Sequence, residues 1–364
     1  MQESHPIRHF APSWFALVMG TGGLSNILWK WQDYWYPTRW CSLVLASIAL
    51  IAYCIILVPW SLRWIRWPKY AIRDLHHPVT SNFYVTTGIA TVIIATNLYN
   101  IWSTWLPESF VYPTCMALWI ISCIIVVLCT FYTTFRMFSA REAFAPQMVN
   151  FAWLMAPIAN MAVLLIGCPV FVLSLQHQPA LSLTLFTLNA AFFGIGFFLF
   201  IFISAIVFVR LVQAELPSPA TTPTFGIFLS AVGLAAGTFF DLGSNAVSLG
   251  LLASTDLVNL LCAVTWGFGI WIIGIIFLVC LYHARHGGMP FALSWWAFTF
   301  PLAAYTIASL KIFGAYPCVF TCGYTIFLTL LLSGLWIYIF LNTLRGIGNG
   351  TLFLGTPIAE DETV

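Results

Sequence analysis

Two groups of residues could act on a passing solute: the pair Phe300-Pro301, and positive side chains gathered before a series of prolines. Pro301 lies within the apolar run 291–309. A proline inside a helix removes one hydrogen bond and clashes with the preceding turn, which predicts a kink and an unpaired carbonyl. Lipid tolerates such a defect only where protein or a water-filled cavity covers it. The run therefore predicts a pore-lining helix with the Phe300 ring as its plug. Arg8, Arg73 with His77, Arg141 and Arg285 stand just before proline-led helix starts. There the free N–H groups and about half a positive charge per helix end add to their own. The chemistry implied is attraction and escort of anions, not bond making; the positive-inside rule alone would equally place basic residues at these cytoplasmic ends.

No Asp, Glu, Lys, Arg or His falls near the middle of any apolar run, where proton-coupled carriers commonly place relays. Polar lining has to come from hydroxyls, amides and opened backbone: Thr21, Ser25, Asn26, Thr86, Thr87, Asn160, Ser230, Thr238 and Thr299. Such groups solvate a partly dehydrated anion without trapping it. Taken singly, each also fits an ordinary intramembrane hydrogen bond. An intramembrane enzyme would need clustered Asp, His or Cys at one membrane face, and the sequence has no such cluster. No catalytic residue, metal site or cofactor is predicted. His76-His77-Pro78 lacks a Cys or acidic partner at metal-ligand spacing and reads as a helix cap.

The elements that must hold these groups are membrane helices. The 364 residues are 61% hydrophobic and 7% charged, with a mean hydropathy of +0.94. A soluble domain carries about 25% charged residues, so the chain is an integral membrane protein whose surroundings are a lipid bilayer. A net charge of +2 suggests no nucleic-acid partner. The ten cysteines lie mostly within apolar runs and form no C-x-x-C, which fits buried thiols. The first residues lead straight into an apolar run, and no cleavable signal is expected.

Ten runs have spanning length: 12–29, 41–60, 79–98, 114–135, 147–167, 181–209, 224–240, 257–282, 291–310 and 319–341. They make one transmembrane domain over 1–345, followed by a cytoplasmic tail over 346–364. Placing the N-terminus inside puts ten of the 13 Lys and Arg on the cytoplasmic side. Only Lys30, Arg39 and Lys311 fall outside, with Asp33, Glu108, Asp241 and Asp256 in the outer loops. Both termini are then cytoplasmic, in the plasma or inner cell membrane.

The odd-numbered runs repeat. Each starts at a proline, Pro12, Pro78, Pro146, Pro223 or Pro290, at intervals of 66, 68, 77 and 67 residues. Ten or eleven residues on comes a second breaker: Gly22 and Gly23 (within Gly20-Thr21-Gly22-Gly23), Gly88, Pro157, Gly233 and Pro301. The even runs lack the pattern. Five helical hairpins result, with weakened odd helices inside and regular even helices outside.

The strings 9–16 (HFAPSWFA) and 18–22 (VMGTG) resemble the first helix of the tellurite-resistance/dicarboxylate transporter family, relatives of the plant slow-type anion channels. The string 294–302 (SWWAFTFPL) is similar to its ninth helix, and His77-Pro78 with Phe83 and Pro146 with Pro157 match family positions. The resemblance covers essentially the whole chain. It implies an all-α membrane fold of ten helices in quasi-fivefold array about a central pore, assembled as a homotrimer, with Phe300 occluding the pore. It implies transport of small anions, with C4-dicarboxylates such as malate first, and sulfite, chloride or nitrate as alternatives. Where the family pattern leads to expect Gly-Pro in the seventh helix, this chain has Ser230-Ala231-Val232-Gly233. The long regulatory termini of the plant channels have no counterpart, so no kinase-controlled gating of that kind is expected.

Overall fold

The computed structural model describes residues 6–139, 149–350 and 352, and all regular structure there is helical. The α-helices are α1 (Phe15–Lys30), α2 (Pro37–Arg66), α3 (Pro68–His76), α4 (Thr86–Asn100), α5 (Glu108–Ser139), α6 (Met155–Ala162), α7 (Leu164–His177), α8 (Pro179–Gln213), α9 (Phe225–Ser248), α10 (Asp256–Arg285), α11 (Trp296–Ala315) and α12 (Val319–Gly348). Among the described residues eight helices are long and apolar enough to cross a membrane, or nine if α3 and the segment Thr80–Thr104, bent by 110°, count as one. The first expected span is not among them; its helix α1 has 16 residues, about 24 Å at 1.5 Å per residue.

Burial divides the spans into two layers. The windows of Phe151–His177, Thr222–Ser248 and Leu293–Ala315 are 78, 72 and 61% buried, whereas those of α2, α5, α8, α10 and α12 are 22–33% buried. The second group carries large apolar side chains outward, among them Phe131, Phe202 and Leu330. Such a surface is stable in lipid, where apolar exposure costs nothing. Contacts place the layers: α1 packs on α4, α4 on α6 and α7, these on α9, α9 on α11, and α11 back on α1. That is a closed ring. Around it α2, α5, α8, α10 and α12 each pack on the ring helix adjacent to them in sequence.

Three details depart from the sequence expectation. α3 stands where a loop was expected; its nine residues begin at Pro68 and mix Lys69, Arg73 and Asp74 with apolar positions. The fifth span is interrupted at Val163, between α6 and α7, and not at Pro157. Pro157 sits in the first turn of α6, where its missing N–H has no helical partner to lose. α12 runs to Gly348, so the first part of the expected tail is helical, and residues 353–364 lie outside the described set.

The breakers on α1, α9 and α11 form close helix contacts. α11 is continuous through Pro301, and the carbonyl that the proline leaves without a helical donor is that of Ala297. Gly226 of α9 lies against it: a Cβ there would stand 2.3 Å from Ala297 O. Two turns on, a Cβ at Gly233 would meet the backbone nitrogen of Tyr305 at 2.5 Å. On the other flank, Cβ atoms at Gly20 and Gly23 would strike Thr299 and Ala303 of α11. Small residues thus let α9 approach α11 backbone to backbone, and let the side chains of Thr299 and Ala303 pack on the backbone of α1. Because Gly233 meets main chain, which has no rotamer to yield, Gly233→Ala should destabilise by about 1–3 kcal/mol. A thermal unfolding midpoint equal to wild type in the same detergent would refute this packing role.

Candidate functional site

Each ring span begins with a 3₁₀ turn: Pro12–Trp14 before α1, Thr80–Phe83 before α4, Phe151–Leu154 before α6, Thr222–Thr224 before α9 and Leu293–Trp295 before α11. The turns gather at one end of the ring. The turn of Pro12–Trp14 touches those of Thr80–Phe83 and Leu293–Trp295, and the last touches that of Thr222–Thr224. The helices that follow have no side-chain cap, so their helix-end polarity is not neutralised by a carboxylate.

The basic residues at this end have separate roles. The Arg8 guanidinium lies 3.8 Å over the Tyr70 ring. Arg73 and Arg285 are exposed. Arg141 and Pro146 lie outside the described residues. His77 caps the turn before α4: its Nδ1 accepts from the amides of Val79 and Thr80, both at 3.3 Å, and lies 2.9 Å from the Thr80 hydroxyl. Burial pushes His77 below the usual 6.5, against the opposing field of Asp74. It therefore serves as a neutral acceptor at pH 7, and its contribution to an anion-attracting field is small.

Sequence reasoning missed Arg63 on α2, 1% exposed and the most buried cation among the described residues. It donates to the carbonyls of Arg8 (3.1 Å), Phe10 (2.9 Å) and Tyr70 (3.3 Å), and pairs with Asp74 of α3. One guanidinium thereby ties the segment before α1 and helix α3 to the end of α2. The available signal was Asp74, the one acidic residue between Asp33 and Glu108.

Four faces of α11 are covered by neighbours. Tyr305 and Ser309 meet Trp266 of α10, and Trp296 bonds Thr343 of α12. Thr299 and Ala303 meet α1, while Ala304 and Ala308 meet α9. The stripe Phe300, Ala304, Ile307 and Lys311, spaced i, i+4, i+7 and i+11, is one face of α11, and it touches α9 at Ala304 and Lys311. Exposure rises along it. Phe300 is 4% and Ala304 6% exposed, Ile307 is half-buried, and Lys311 reaches 22%. Lys311 and Asp241, expected in outer loops, belong to α11 and α9, because both helices run past the apolar windows by which the spans were drawn.

The remaining expected lining groups are dispersed. Thr21 accepts from the Trp336 indole of α12 at 3.0 Å, which turns it to the outer layer. Gly22 packs on Ile93 and Asn97 of α4, and Gly88 on Ile125 and Val126 of α5. Thr87 keeps a buried hydroxyl without a hydrogen-bond partner. An amide ladder joins α1 to α4: Asn26 donates to Asn97 at 2.5 Å and accepts from Asn100 at 2.8 Å. Among the described residues no three His, Cys, Asp or Glu are grouped to hold a metal.

These elements define a multi-span helical membrane protein with an inner ring of more deeply buried helices. Residues 9–344 match the voltage-dependent anion channel (SLAC1) family, and the chain belongs to it. An uncharacterized transporter of Methanocaldococcus jannaschii is 28% identical, over 95% of this chain and 97% of its own. A sulfite efflux pump (SSU1) of Trichophyton rubrum is 26% identical, over 93% and 90%. A malic acid transport protein of Schizosaccharomyces pombe is 21% identical, over 85% and 72%. The protein is a membrane anion transporter of this family.

Proposed function

We propose that the chain forms a ten-span, quasi-fivefold pore for small anions, with both termini cytoplasmic and Phe300 as its gate. α1, α4, α6 with α7, α9 and α11 form the inner wall, and the outer helices face lipid. The observation that carries this is the Phe300 stripe: a buried ring at its base, and a face of α11 that becomes accessible and ends at a cation. The 3₁₀-turn collar supplies partial positive charge at the opposite mouth, with the exposed Arg73 and Arg285 beside it. Copies assemble as a homotrimer in the cell membrane.

Malate is the first substrate to test among C4-dicarboxylates. Sulfite has separate support, because the relative named for sulfite efflux matches more of the chain than the malic acid transport protein does. Purified protein in liposomes under a salt gradient should give a reversal potential on the anion side, with flux measured for malate, sulfite, chloride and nitrate. A cation-selective reversal potential would end the reading.

A further inference from the structure

Lys311 and Asp241 form an ion pair between ring helices: Lys311 Nζ donates to Asp241 Oδ2 at 2.5 Å and to the carbonyl of Gly237 at 2.8 Å. The ammonium has three N–H donors, so one remains. The two side chains are 22% and 28% exposed, neither sealed in packing nor free in bulk water. On α11, Lys311 lies eleven residues from Phe300 on the same stripe, about 16 Å along the axis at 1.5 Å per residue. A charge carried on an apolar helix is costly to desolvate and marks a site by default.

We propose that Lys311 is an anion-binding site in the vestibule beyond Phe300, with Asp241 as a built-in competitor for its ammonium. The ligand class is a small carboxylate or oxyanion. It takes the spare N–H and shares or replaces the Asp241 contact. A permanent carboxylate partner keeps that binding weak, and weak binding lets an ion leave, which a conducting path requires. The proposal rests on the transport reading above and gives it a named selectivity residue.

The two side chains should act in opposite directions. In proteoliposomes, Lys311→Met should raise the half-saturating concentration of malate and of sulfite about tenfold, by loss of one charge-assisted contact. Asp241→Asn should lower it by about fivefold, because the competing charge is gone. Lys311→Arg should stay near wild type. A merely structural pair predicts otherwise: both single variants would lose thermal stability and flux together, with half-saturation unmoved or shifted the same way in each. Flux through wild type with such parallel effects would overturn this site alone. No anion flux through wild type would bring down the transport reading and this proposal with it.

Discussion

Phe300→Ala is expected to raise anion flux at least tenfold while the protein stays folded and assembled. The ring is 4% exposed within the hydrophobic core, on a stripe of α11 whose exposure rises toward Lys311. An apolar ring in a narrow path closes it by bulk and by excluding water. Alanine removes the plug and no polar contact, since phenylalanine makes none. The competing account is that Phe300 is ordinary packing. In that case truncation leaves a cavity costing about 3–5 kcal/mol, and the variant melts earlier without conducting more. Flux and unfolding midpoint measured on one preparation separate the accounts. Lost stability with unchanged flux would sink the gate, and Phe300→Leu, which keeps bulk, should fall between wild type and alanine.

What was legible in the sequence divides along physical lines. Hydropathy located the apolar centre of each span, because a bilayer demands it. It could not mark where helices end, since backbone hydrogen bonding continues into the interface; α8 reaches Gln213 and α11 reaches Ala315 for that reason. Lys311 and Asp241 were misplaced by the same rule. The proline register was readable, but only Pro12 and Pro223 fall within 3₁₀ turns; Pro78 and Pro290 precede theirs, and Pro146 lies outside the described residues. The use of each breaker was not readable. Gly233 and Gly88 look alike in sequence, yet one admits the backbone of α11 and the other the side chains of α5. Which neighbour a glycine meets is a tertiary fact. Arg63 was hidden because a basic residue near a helix end satisfies the positive-inside rule whether or not it is buried.

The second large effect is expected at Arg63. Its guanidinium is 1% exposed and bonded to three carbonyls and one carboxylate. Removing one member of a buried pair costs about 3–5 kcal/mol, because the remaining charge is left uncompensated. Asp74 is 17% exposed and can recover some hydration, which places Arg63→Met toward the lower end. The carbonyls of Arg8, Phe10 and Tyr70 lose their donor as well, so the segment before α1 and helix α3 should loosen together. Arg63→Lys restores charge but not the fork that spans several acceptors, so it should recover only part of the loss. Asp74→Asn should cost less than Arg63→Met, since an amide oxygen still accepts one N–H. The measurement is thermal unfolding in detergent with proteolysis of the N-terminal segment followed in parallel. An unfolding midpoint and a cleavage rate both unchanged in Arg63→Met would show that the buried guanidinium holds nothing together. A lower midpoint with accelerated cleavage is the expected pair, because one side chain carries both contacts.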